Sequence, residues 1–192
     1  LIVTPYYNKP NQAGIRAHFE AVADGVDLPI MLYDIPGRSV MPIEPETLIA
    51  LAQHPNIRAL KDAKGDLQST TTVLAHTDLD LYSGDDGATL PLMALGAVGV
   101  VSVAAHAAPE LYRQLVDAVH AGDLAAARQI KNALGEILEV KARGIANATG
   151  TWEAPYVPDV PGRARFRGRQ LHTRDYRAAD RGASPEVAAL LA

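Results

Sequence analysis

The strongest constraint on how this chain can fold is an alternation. Short apolar runs at residues 1–3, 29–33, 57–61, 79–83 and 98–103 recur roughly every 20 to 30 residues. Each is followed by a stretch with apolar residues three to four apart, the period of a helix that buries one face. Residues 11–26 are the clearest case, with Ile15, Phe19, Val22 and Val26 on one stripe. The same reading places helices at 44–53, 66–76, 86–96, 109–121 and 123 to about 140. Strand-then-helix repetition is the pattern of a parallel α/β protein, because parallel neighbours need a crossover and a helix supplies it.

The five apolar runs do not alternate polar and apolar residues. That suits strands covered on both faces, in a barrel or in a doubly wound sheet. A closed (β/α)8 barrel takes eight such units in about 250 residues, so three would have to lie ahead of Leu1. The first residue is a leucine inside an apparent strand, and the expectation is a chain truncated at its N-terminus. The fold class expected is therefore α/β, a partial TIM barrel of about five C-terminal βα units over 1–140, first C-terminal helices included. Residues 141–192 read as a divergent tail: Pro155, Pro158 and Pro161 precede the arginine-crowded GRARFRGRQLHTRDYRAADRG, without helix or strand period until residues 185–192. A basic segment can bind nucleic acid or an acidic surface, but the reading preferred here is a solvated, poorly ordered tail.

Composition narrows the chemistry. With no cysteine in 192 residues, disulfides, thiolate catalysis and Cys-ligated zinc are excluded. The formal net charge of -4 gives no global reason to expect nucleic acid. No apolar run has membrane-spanning length, and the opening LIVTPYYNKP lacks the basic-then-apolar order of a signal peptide. No membrane partner and a cytoplasmic location are expected. Six scattered histidines show no i,i+4 pairing, and Asp85 and Asp86 at a helix start read as caps, so no metal is expected.

In a parallel barrel the C-terminal strand ends converge on one mouth, where active sites are built. Tyr7, Tyr33, Arg38, Lys61 and Gly84 lie at or just beyond those ends. Lys61 closes the apolar run Ile57-Arg58-Ala59-Leu60. A lysine projecting into a barrel is costly to bury as an ammonium, and a neutral amine is what imine chemistry on a ketone needs. Spacing alone reads equally well as a strand-end lysine that reaches solvent. Tyr33, just before a Pro-Gly turn, carries a phenol able to relay protons; an isolated core tyrosine with its hydroxyl at the rim is the plainer alternative. Arg38 follows Pro36-Gly37, and its planar fork suits a carboxylate, although most arginines after a turn are merely solvated.

Four motifs in order carry a resemblance: Val3-Thr4-Pro5-Tyr6-Tyr7-Asn8-Lys9-Pro10, Tyr33-Asp34-Ile35-Pro36-Gly37-Arg38-Ser39, Leu60-Lys61-Asp62-Ala63-Lys64-Gly65 and Tyr82-Ser83-Gly84-Asp85-Asp86. Together with Gly99-Val100-Val101-Ser102-Val103 they resemble the dihydrodipicolinate synthase family, pyruvate-dependent class I aldolases, over residues 1 to about 140. The resemblance implies a (β/α)8 barrel with extra C-terminal helices, usually a homodimer or homotetramer. It implies an imine between Lys61 and pyruvate, with Tyr33 as proton relay and Tyr7 completing the relay across a dimer interface. It implies that Arg38 binds the carboxylate of L-aspartate-4-semialdehyde, that Val101 contributes backbone near pyruvate, and that Gly84 lies at the substrate site. No cofactor is implied beyond the covalent pyruvate imine. The family's Gly-Thr-Thr-Gly-Glu segment has no counterpart in this chain, and no match extends past about residue 140. Two alternatives stand beside this reading: another pyruvate aldolase, such as N-acetylneuraminate lyase or a keto-sugar-acid aldolase, or a non-catalytic fragment.

Overall fold

The structure is a computed structural model that describes residues 1–142, with side chains through residue 135. The tail expected from residue 141 onward lies almost wholly outside the described residues. Chain contacts divide the molecule into Leu1–Asn132 and Ala133–Ala192; the described part of the second unit is the end of one helix.

The first unit runs β1(Ile2–Val3), α1(Gln12–Asp24), β2(Ile30–Asp34), α2(Pro36–Ser39), α3(Pro45–Leu51), β3(Ile57–Asp62), α4(Leu67–His76), β4(Asp80–Ser83), α5(Thr89–Leu95) and β5(Gly99–Val100). A 3-10 turn at Ala104–His106 and α6(Pro109–His120) follow, and α7(Leu124–Ala142) begins here. The ends of the helices are set locally. Asn11 accepts a hydrogen bond from the Gly14 N–H and starts α1; Asp66 accepts from the N–H groups of Gln68 and Ser69 and starts α4. Both side chains satisfy donors that a helix leaves orphaned.

The five strands pair in parallel in the order β1-β2-β3-β4-β5. Each strand is therefore laid beside the one before it, always progressing in one direction. A doubly wound sheet reverses its strand order at a switch point; this one does not, which decides for the arc of a (β/α) barrel. Register organises the strands into rows. Ile2, Leu32, Leu60 and Leu81 align across the sheet and pack with Phe19 of α1, Leu48 of α3, Val73 of α4 and Leu92 of α5 in one buried core. Burying each such side chain contributes about 1.5–3 kcal/mol. The next row, Val3, Tyr33, Lys61 and Tyr82, faces the other way, since successive side chains alternate.

Two expectations are corrected. The sequence pattern predicts a fifth strand over 98–103, but only Gly99–Val100 forms one. Val101 N–H still bonds Ser83 O at 2.8 Å, and then the Ser102 hydroxyl and the Ala104 N–H donate to the Asp86 carboxylate, which pulls the backbone out of the sheet. Asp86 is accordingly not a helix cap. It is buried and ties the segment after β5 to the loop after β4, and Asp85 does not cap α5 either: it accepts from the Gly87 and Ala88 N–H groups in the turn before the helix, whose first residues have no side-chain cap. The one-turn helix α2 was also unforeseen, because Pro36-Gly37 reads as a turn.

Candidate active site

Lys61 is the fifth residue of β3 and only 7% exposed. Its register partners are Tyr33 on β2 and Tyr82 on β4. The side chain leans toward Tyr33, with Nζ 4.0 Å from the ring centroid. Its side chain makes no hydrogen bond or ion pair with another described residue. An aromatic face attracts a cation by about 0.5–2 kcal/mol but offers no carboxylate to hold it.

Gly84 makes this placement sterically feasible. A Cβ there would lie 2.9 Å from Lys61 Cγ, 3.0 Å from Lys61 Cε and 2.9 Å from Ala63 Cβ. The Lys61 stem therefore occupies the volume that any other residue at 84 would claim. Gly84 N–H bonds Asp62 O at 2.7 Å, which keeps it level with the end of β3. Val101 directly follows β5, its N–H bonded to Ser83 O. Lys61, Tyr33 and Gly84 are thus brought into contact, with Val101 just beyond the end of β5.

Arg38 and Tyr7 are not joined to them. Arg38 is exposed on α2, and Tyr7 is 88% exposed on the loop after β1. Neither side chain bonds to another described residue. The turn that carries Arg38 is held from beneath by buried Ser39, whose hydroxyl donates to Ile35 O or Met41 O. It ends on Val40 at φ 69, a conformation that β-branched residues rarely adopt.

Sequence reasoning missed a second set of residues. Asp34 and Asp62 pair in register one step beyond Tyr33 and Lys61 and face the helix layer. Asp34 Oδ1 accepts from the Ile43 N–H at 3.1 Å, and Asp62 Oδ2 accepts from the Thr70 hydroxyl at 2.6 Å. Lys64 Nζ lies 3.2 Å from Asp34 Oδ2 and donates to Ile43 O at 2.7 Å and Ser69 Oγ at 2.9 Å. Burial pushes the Asp34 carboxyl above its ordinary value; Lys64 and the Ile43 N–H draw it partly back, and Asp62 adds an upward push. Beside a third buried carboxylate, Asp86, the Tyr112 phenol is likewise pushed up, by burial and then by Asp86. The signal for the Asp34–Lys64 pair was present as a charged residue after each of two apolar strands, but only pairing shows which charges meet.

This fold and this site define a segment of a parallel (β/α) barrel with a buried lysine set against a tyrosine at its strand ends. The chain matches the Dihydrodipicolinate synthetase family over residues 1–156 and belongs to that family. It is 56% identical over 144 residues to a 4-hydroxy-tetrahydrodipicolinate synthase from Corynebacterium aurimucosum, covering 74% of this chain and 48% of that relative. A dihydrodipicolinate synthase structure from Cyanidioschyzon merolae with lysine bound is 45% identical, with a TM-score of 0.71, over 76% of this chain and 50% of that one. A chloride-inhibited dihydrodipicolinate synthase from Acinetobacter baumannii complexed with pyruvate is 38% identical, with a TM-score of 0.68, over 74% of this chain and 51% of that one. The chain spans about half the length of the relatives it matches. No described helix is long and apolar enough to cross a membrane.

Proposed function

We propose that this chain supplies the imine-forming lysine of a 4-hydroxy-tetrahydrodipicolinate synthase, which condenses pyruvate with L-aspartate-4-semialdehyde in the cytoplasm, on the route to diaminopimelate and lysine. The observation that carries the reading is Lys61: buried at a strand end, its amine over the Tyr33 ring, without an ion-pair partner among the described residues. The amine adds to the pyruvate ketone, and loss of water from the carbinolamine leaves the imine. Its protonated form is a cation, which the Tyr33 face stabilises. Loss of a methyl proton then gives the enamine, whose carbon attacks the aldehyde. The Tyr33 phenol is the proton relay for these steps, and the exposed Tyr7 phenol completes the relay across an interface between copies in a homodimer or homotetramer. Val101 contributes backbone near the bound pyruvate. Gly84 leaves room at the substrate site, and exposed Arg38 receives the semialdehyde carboxylate. The covalent imine takes the place of a cofactor, and no metal, nucleic acid or membrane has a part in the reaction.

Pyruvate and borohydride test this in the 192-residue chain and in the same chain joined behind the N-terminal half of one of its relatives. Mass spectrometry should place the reduced adduct on Lys61, and Lys61→Ala should abolish it. An adduct on another lysine sinks the assignment. In the joined chain, Arg38→Ala should impair turnover of the semialdehyde far more than pyruvate trapping; efficient cleavage of N-acetylneuraminate would instead move the function to a lyase.

A further inference from the structure

Lys61 and Tyr33 meet on one face of the β2–β3 pair only if those strands keep their register. On the other face the same strands end in Asp34 and Asp62. Two buried carboxylates side by side repel each other and have lost their water, an arrangement that persists only with a counter-charge. Lys64 is that counter-charge. Its side chain is 10% exposed, and its Nζ reaches Asp34 at the end of β2, Ile43 O ahead of α3 and Ser69 on α4. Its own N–H donates to Asp62 Oδ1 at 2.9 Å. One residue thus ties the end of β2 to the loop that leaves β3. Asp34 and Asp62 directly follow the two residues whose side chains meet on the opposite face, so a slip at Asp34 or Asp62 displaces Tyr33 or Lys61.

We propose that Lys64 is a positioning residue for the Lys61–Tyr33 pair, acting through Asp34 and Asp62 from the outer face of the sheet. Lys64 itself touches no reacting atom. Removing it leaves two facing carboxylates without their cation, and the strand ends separate; removing Lys64 and the Asp34 charge together relieves that repulsion. The effect on Lys61 therefore depends on both residues and is not the sum of two losses.

Two readouts test this in the full chain. In the first, lysine is labelled with carbon-13 at Cε. The Lys61 Nζ lies 4.0 Å from the Tyr33 ring centroid, so the ε-methylene bonded to it should feel the ring current and its proton resonance should sit upfield of the other lysines. Lys64→Met should return it most of the way to the ordinary position while the core methyl resonances keep theirs. Adding Asp34→Asn to Lys64→Met should recover much of the upfield shift. An unchanged Lys61 resonance in Lys64→Met, or a double variant no better than the single one, overturns the proposal. If Lys64→Met does not fold, Asp34→Asn alone carries the test: it keeps the acceptor for Ile43 N–H, should move the Lys61 resonance in the same direction, and overturns the proposal by leaving it in place. The second readout rests on the Schiff-base reading. Maximal pyruvate trapping per folded molecule should fall about a hundredfold in Lys64→Met, as expected for a misplacement on the order of 1 Å, with half-saturation by pyruvate little changed. A parent chain with the shifted resonance but no pyruvate adduct refutes the imine assignment and leaves the positioning role standing.

Discussion

Two lysines three residues apart are both nearly buried, and they could hardly be treated more differently. Lys64 is surrounded by Asp34, Ser69 and a backbone carbonyl. Lys61 faces the ring of Tyr33, and no described carboxylate pairs with it. The difference follows from which side of the sheet each serves. The side toward the helices can bring loops and helix starts around a charge and satisfy it with fixed acceptors. The opposite face, at the strand ends, offers ring surfaces and the space left by Gly84. Burial alone therefore does not separate the two lysines; their partners do, and on the Schiff-base reading proposed above the one with no carboxylate beside it is the one available for chemistry.

The sharpest way to break this contrast is to fill the space that Lys61 uses. Gly84→Ala places a methyl 2.9 Å from Lys61 Cγ and 2.9 Å from Ala63 Cβ. Pyruvate trapping on Lys61 should drop by about a hundredfold with the far-ultraviolet dichroism preserved. Gly37→Ala, where the added Cβ meets nothing within 4 Å, should leave trapping unchanged. Equal trapping in Gly84→Ala and the parent would mean that the slot does not set the amine's position.

A pH series sharpens the other side. The folded Asp34 carboxyl lies above its unfolded value, chiefly because it is buried. A raised carboxyl favours folding in its neutral form, so this contribution is full below the unfolded value and is lost as pH rises through the folded one. Asp34→Asn mimics the neutral form at every pH. Its stability relative to the parent should therefore increase between about pH 3 and pH 7, read as denaturant midpoints. A relative stability that falls with rising pH would show that the ion pair with Lys64 outweighs burial.

The smallest effect should come from Asp66, whose side chain caps α4 through the Gln68 and Ser69 N–H groups. Asp66→Ala should cost about 1 kcal/mol in chemical denaturation and leave trapping per folded molecule unaltered. A selective loss of trapping would extend the positioning network to the helix start.

Much of this was legible from the residues. Runs such as Ile30-Met31-Leu32 mark buried parallel strands, and the stripe Ile15, Phe19 marks the face of α1, because burial imposes periods of its own on any chain. The candidate lysine was legible as well, since charge at the end of an apolar run is unusual. Other features were not. The shortness of β5 depends on Asp86 reaching Ser102 and Ala104, sixteen and eighteen positions away in the chain, and no local pattern encodes that reach. The choice between a barrel and a doubly wound sheet also rests on strand order, which apolar runs do not carry.

By itself, then, the sequence determined that strands and helices alternate, which faces are apolar, and that Lys61, Tyr33 and Arg38 sit at strand ends or just beyond. Only the tertiary structure decided which of them meet. Register set Tyr33 opposite Lys61 and Asp34 opposite Asp62; the missing Cβ of Gly84 made room for one lysine, and three acceptors engaged the other. The physical reason is that periodicity reports whether a side chain faces a core, whereas contact between residues about thirty positions apart depends on how separate strands align, and that alignment is settled only when the core between sheet and helices is packed.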